Sequence, residues 1–291
     1  MNLNKNSWDI LAKFIGDVSI TKDLGVTVLD FGVVEPIDES LAWRYAVAVA
    51  EVSLGGLGRI YVSSKEVEVD IKDYPAIACL GSQMSGWAIP VGGGTALGSG
   101  PARILAKKPK DVYERLGYSE DSNRAVLCLE TINLPDKAEC KKILRQTGVK
   151  ELLVAAYNPH SIIGAVNILA RIVEMGVYRL DFLGYDTGKI IEASGAVPVP
   201  EITSDVMYSA NDAIIYGGVV EFAVEGWDGS LTEKCISSSS PEYGKPFKKI
   251  FKEAGGDFYK IDHAIFAPAE VIVEDSKTKK VFQAGERTWR K

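Results

Sequence analysis

Only two charges, Arg171 and Glu174, interrupt the 17-residue apolar run at 161–177 (SIIGAVNILARIVEMGV). Ile162, Ile163, Val166, Ile168, Leu169, Ile172 and Val173 would cover most directions of a helix, and a helix that is apolar nearly all round belongs in an interior. The run is short for a membrane span and carries its charges centrally, so a buried helix is the expected form. Three residues apart, the two charged side chains fall on one helix face. Removing each charge from water costs several kcal/mol, so an interior ion pair is a poor source of stability. Two readings stay open on this pattern. The pair bridges two packed elements, or it is a carboxylate held partly dry beside a guanidinium, the arrangement that gives a site a base with a controlled pKa.

With 291 residues, 46% of them hydrophobic, the chain has material for one large domain or two small ones. The formal net charge of −6, spread without basic or acidic runs, argues against general affinity for nucleic acid or an anionic membrane. It leaves open a local basic pocket for an anionic ligand. The start, MNLNKNSWDILAKF, has an amphipathic helical pattern and no signal-peptide organisation. Cys79, Cys128, Cys140 and Cys235 are scattered and include no C-x-x-C pair, which fits reduced thiols in a cytoplasmic protein. His160 and His263 are the only histidines. They build no metal-ligand spacing and no supported catalytic triad, so chemistry without metal or cofactor is the expectation.

Along the chain, Trp8, Leu11, Phe14, Ile15 and Val18 recur at helical spacing behind Ser7, read as an N-cap. A strand is expected over 25–34, then a helix capped by Asp38 that buries Ala42, Tyr45, Ala46 and Val49. Strands follow at 59–62 and 66–70, then an apolar stretch at 76–80, a glycine-rich loop at 91–100 and a short helix from Pro101 that Pro109 stops. The middle alternates strand (125–130), helix (137–146), strand (151–156) and the buried helix. In the last third, 213–224 reads as a strand, 236–244 as a loop, 245–252 as a helix, and 269–274 with 280–284 as a hairpin. The class is α/β with mixed sheets. Without internal repeat or long linker, two subdomains would be intimately joined in one unit spanning 1–291.

Four segments suit a ligand. In LGSGPARIL (97–105), glycines, the free amides of a helix start, Ser99 and Arg103 can cradle a phosphate or carboxylate; a glycine-rich turn with a solvated arginine fits equally well. The segment matches neither a dinucleotide fingerprint nor a P-loop. In LGSQMSGW (80–87), Gln83 and Trp87 flank a glycine-containing turn. Tyr216 and Gly217 lie in IIYGGVV, where the glycine pair inside a strand suggests a bulge or close ligand approach. Phe266 lies in FYKIDHAIFAP (258–268).

Together these segments resemble the methenyltetrahydromethanopterin cyclohydrolases. The resemblance runs from EVSLGGLG (51–58) through LGSQMSGW, LGSGPAR, KPKDVYERLGY, AVLCLE, ILARIVEMGVYRL, NDAIIYGG and EYGKPFKKIFKE to GDFYKIDHAIFAPAEVIV and the AGE at 284–286. It covers nearly the whole chain in one order. It implies hydrolysis of 5,10-methenyltetrahydromethanopterin, or a close pterin analogue, to the 5-formyl derivative, without a metal. It further implies a homotrimer with the pterin in a cleft between two α/β subdomains. The family's Arg-x-x-Glu falls on Arg171 and Glu174. Gln83, Trp87, Ser99, Arg103, Tyr216, Gly217 and Phe266 become the candidate substrate-binding residues.

The chain departs from the family at 208–212, where Tyr-Ser-Ala-Asn-Asp stands for the usual Gly-Arg-Thr-Asn-Asp, so an arginine is missing. The segment between Ile60 and Ile77 and the C-terminus are also shorter than usual. The altered stretch motivates an alternative, a diverged binding protein for a pterin or another phosphorylated ligand. Retention of Arg171 and Glu174 weighs against it.

Overall fold

Residues 125–129 and 152–156 are apolar at every position, the signature of strands covered on both faces. In the computed structural model, which describes residues 1–289, these two segments pair in parallel and are buried throughout. The helices, in chain order, are α1 (Leu3–Leu11), α2 (Glu39–Ser53), α3 (Ala102–Ala106), α4 (Lys110–Leu116), α5 (Lys137–Thr147), α6 (Ile162–Leu169), α7 (Ile172–Phe182), α8 (Val206–Gly217) and α9 (Phe247–Glu253). The strands are β1 (Ile20–Asp23), β2 (Val26–Phe31), β3 (Arg59–Val62), β4 (Glu66–Ile71), β5 (Trp87–Val91), β6 (Gly94–Ser99), β7 (Arg124–Glu130), β8 (Glu151–Tyr157), β9 (Ile190–Pro198), β10 (Val219–Val224), β11 (Glu270–Asp275) and β12 (Val281–Gly285).

The chain forms two compact α/β units, each built on one six-stranded mixed sheet. The first takes Met1–Gly58 and Ile77–Asn167, the second Arg59–Ala76 and the chain from Ile168 onward. The first sheet runs β1-β2-β8-β7-β6-β5. Strands β2, β8 and β7 are parallel, and the others antiparallel. Its core joins Val126's neighbours Ala125 and Leu127 with Val28, Trp87, Ile89, Ile143 and Val154. The second sheet runs β12-β11-β10-β9-β4-β3, with only β10 and β11 parallel. Strand β4 (EVEVDI) alternates apolar and polar residues, as one-faced strands do, and its apolar residues are the buried ones; β10 (VVEFAV) and β11 (EVIVED) likewise bury every second residue, Asp275 among them.

Several elements differ from expectation for identifiable reasons. The side chain of Asn2, not Ser7, caps α1 by accepting from the Lys5 amide, and Ser7 is interior, donating to the Val52 carbonyl. The glycine-rich stretch at 91–100 is a hairpin. Gly92 and Gly93 have φ of +57° and +79°, as a tight two-residue turn requires, and β6 follows directly. The apolar run is buried but breaks at Ala170–Arg171 into α6 and α7, so Arg171 is a helix start. The stretch 213–224 is the end of α8 followed by β10, because Val206, Ala210, Ala213 and Ile214 complete a buried helical face upstream of the glycines. Strand β9 (IIEASGAVP) was not expected, since its small residues hide the alternation. Asp38, by contrast, caps α2 as expected, and Gly148 ends α5.

Candidate active site

Helix α7 begins at a seat made by missing side chains. A Cβ on Gly195 of β9 would lie 2.9 Å from the Ile172 side chain, and one on Gly218 would lie 2.5 Å from its δ-methyl. Near the next turn, a Cβ on Gly176 would meet the Phe222 ring at 2.8 Å. These close approaches fix the first turn of α7 against β9 and β10. Arg171 is the N-cap residue, and Glu174 stands in the first turn. There the unpaired amides and the positive helix end favour a carboxylate. Arg171 Nη1 is 3.7 Å from Glu174 Oε2, with side-chain exposures of 18% and 6%. The structure thus gives a nearly dry carboxylate with a cation at its side that still reaches the surface.

The other candidates fall into three groups. Gln83, Ser99 and Arg103 belong to adjoining segments of the first unit. Residues Ile77–Gln83 form a π-helix, interior from Ala78 on, that ends at Gln83. The amide of Gly100 donates to the Ser82 carbonyl, so it is engaged within the fold. Ser99 is buried opposite Cys128. Arg103 is wholly buried: Nε donates to the Lys108 carbonyl at 2.8 Å, and Nη1 to those of Leu80 and Ser82 at 3.1 Å each. Of the two readings of 97–105, an anion cradle or a glycine-rich turn with a solvated arginine, the burial of Arg103 excludes the solvated arginine. Helix α3 is a single short turn, and its arginine holds main-chain carbonyls. Trp87 opens β5 and lies in the core of the first sheet.

The third group is in the second unit. Tyr216 donates its hydroxyl to the Lys245 carbonyl at 2.8 Å and accepts from the Gly244 amide at 3.1 Å. The space a Gly217 Cβ would need is taken by Trp289 and Pro198, and its carbonyl accepts from Arg287 Nε at 2.7 Å. The close approach that the glycine pair suggested is thus to the chain's own tail and to Ile172. Phe266 joins Tyr208, Tyr216, Phe247, Phe251 and Phe258 in an aromatic cluster, 6.2 Å from the Phe247 ring.

The model of the cyclohydrolase (MCH) family matches residues 12–290. The chain belongs to this family. It is 38% identical to the methenyltetrahydromethanopterin cyclohydrolase of Methanocaldococcus jannaschii, over 98% of this chain and 95% of that protein. The same-named proteins of Methanospirillum hungatei and Methanothermobacter marburgensis are each 40% identical, covering 96% and 92% of this chain and 92% and 89% of theirs. The buried Arg171–Glu174 pair at the start of α7 lies within the matched residues.

At 208–210 the side chains are engaged within the fold. The Tyr208 ring lies 5.8 Å from that of Phe251 and carries the Lys248 ammonium 5.5 Å above it. Lys248 also pairs with Asp205 at 2.6 Å. Ser209 donates back to the Val206 carbonyl, and Ala210 is buried. Among the described residues no group of three His, Cys, Asp or Glu is arranged to hold a metal ion, and no helix is long and apolar enough to cross a membrane. All four cysteines are buried, and none is in a disulfide.

Two features here were not read from the sequence. One is the arginine-held π-helix. The other is Asp212, whose Oδ1 accepts from the Phe247 amide at 2.7 Å and so caps α9. Burial raises its pKa from 3.8 to about 6, opposed by that amide. Between these values the folded chain holds a proton that the unfolded chain lacks, so this group weakens the fold as pH rises through the window. Asp212→Asn keeps an acceptor for Phe247 without the charge. The melting temperature of the variant relative to the parent is expected to rise from pH 4 to about 6.5 and then level off. A constant difference across that range would exclude Asp212 as the source.

Arg103 carries a stability prediction. Arg103→Leu takes the donor from the buried Leu80 carbonyl and the part-buried Lys108 carbonyl, and one of two donors from that of Ser82, at about 1–3 kcal/mol for each group orphaned before relaxation. A loss of about 3–5 kcal/mol in urea unfolding is expected, and a change under 1 kcal/mol would show that water replaces the guanidinium freely.

Proposed function

We propose that this protein adds water to 5,10-methenyltetrahydromethanopterin, or a close pterin analogue, to give the 5-formyl derivative. The methenyl carbon bridges two nitrogens in a cationic amidinium and is already electrophilic. Water is the weak partner, and a carboxylate that takes its proton contributes about 10²–10⁴-fold. In this reading Glu174 is that base. Water oxygen bonds to the methenyl carbon as Glu174 accepts a proton. The bond to N10 then breaks, the carboxyl returns its proton to N10, and the formyl group stays on N5. The cation becomes a neutral product, so one proton is released overall. Arg171 orients the carboxylate and favours its ionised form. The Glu174 charge in turn attracts the cationic substrate.

The observation that carries the reading is the buried Arg171–Glu174 pair at the start of α7, within a family whose named members act on this pterin. No observation favours the binding-protein alternative, which would leave this pair without a task. The protein works without a metal or cofactor as a cytoplasmic homotrimer, with the pterin as its partner and no nucleic acid or membrane involved. Purified protein should bleach the absorbance of the conjugated methenyl cation with stoichiometric proton release, tested with methanopterin, its dephosphorylated form and folate. A rate no greater than the spontaneous one with all three would overturn the proposal. Sedimentation at equilibrium tests the trimer.

A further inference from the structure

A π-helix splays its carbonyls away from the usual ladder, and short π segments recur at functional sites. In the one at Ile77–Gln83, three successive carbonyls are taken by donors from elsewhere. Arg103 Nη1 holds those of Leu80 and Ser82 at 3.1 Å each, and the Tyr113 hydroxyl holds that of Gly81 at 2.8 Å. Ser82 Oγ ties the same turn to the Ser53 carbonyl at 2.6 Å. The guanidinium is itself fixed by the Lys108 carbonyl and lies 5.8 Å from the centroid of the Tyr113 ring. Just beyond Gln83 the chain rises to half-buried residues 84–86. A Cβ on Gly86 would come within 2.6 Å of Arg103 Nη2, so the same cation also backs the exit of the turn.

A buried arginine is an inefficient device if stability alone is required, because its desolvation offsets most of what its contacts give. Its geometry is specific, however. One planar group fixes the backbone on both sides of Gly81 and against Gly86, and Gln83 lies between. We propose that Arg103 and Tyr113 are positioning residues that act through Gln83 and residues 84–86 to present this turn to the pterin. The inference rests on the cyclohydrolase reading and assigns Arg103 to turn geometry, not to direct contact with an anion.

Tyr113→Phe removes only the hydroxyl bond to Gly81 and keeps the ring beneath the guanidinium, so it tests the idea where Arg103 variants fail to fold. Kinetics with methenyltetrahydromethanopterin and melting temperatures would be measured in a double-mutant cycle with Gln83→Ala. Tyr113→Phe alone is expected to raise KM by about fivefold with kcat within about twofold, the pattern of weakened uniform binding. In the Gln83→Ala background the same change should move KM by less than about twofold, since coupled residues are non-additive. The drop in melting temperature should be the same in both backgrounds. Equal KM penalties in the two backgrounds, or no penalty in either, would overturn the inference while leaving the enzyme reading intact. An inactive parent protein would overturn the proposed function, and this inference with it.

Discussion

Glu174→Gln is expected to lower kcat by about 10²–10⁴-fold, the contribution of a positioned proton acceptor. Pterin affinity should stay within about tenfold, or roughly 1.4 kcal/mol. The amide preserves the size of the side chain in a place where only 6% of it is exposed, so repacking is minimal. It cannot take a proton from water. Stopped-flow bleaching of the methenyl cation gives the rate, and quenching of protein fluorescence gives the affinity. Turnover near that of the parent would remove Glu174 from the mechanism. An affinity loss far above tenfold would mean that its charge mainly binds the cationic substrate.

Arg171→Leu should be nearly as damaging, by a different route. Without the cation at 3.7 Å, the carboxyl loses the neighbour that favours its ionised form. Proton release from Glu174 then requires higher pH, so the activity of the variant should recover in part as pH rises. A partly buried charge stripped of its partner also costs the fold, by as much as about 3–5 kcal/mol where burial is deep. Melting curves therefore have to accompany the kinetics. Low activity with a flat pH response in a folded variant would assign Arg171 to substrate contact instead.

The buried pair was legible because two charges in an apolar run violate the pattern around them, and burial followed from that pattern alone. The parallel strands β7 and β8 and the alternating β4 were legible for a related reason, since period and apolarity report which faces are covered. The break between α6 and α7 was not, because Ala170 and Arg171 are ordinary helix formers and packing of Ile172 over Gly195 and Gly218 decides it. The glycines of the candidate binding loops left their neighbours unread. A glycine reports that something approaches closely without saying what. At Gly217 it is Trp289 and Pro198, and at Gly98 it is Ile89 and Trp87. The partners of Arg103 were not legible either: its place one turn into a helix suits an anion or solvent, and only the path of residues 80–82 and 108 brings the carbonyls it meets.

The pairing of β4 with β9 also has a meaning for synthesis. Ile71 lies opposite Ala193, 122 positions later in the chain (193 − 71). At about 5–20 residues per second, the early β3–β4 hairpin leaves the ribosome about 6–25 s before its partner exists. A lone hairpin is marginally stable in water, and this one bares Val67, Val69 and Ile71 while it waits. Glu66, Glu68 and Asp70 occupy the alternate positions, so a nascent strand of this kind carries three like charges along one face. Two such strands from neighbouring ribosomes on one message repel each other, which keeps the edge open for the strand that arrives last.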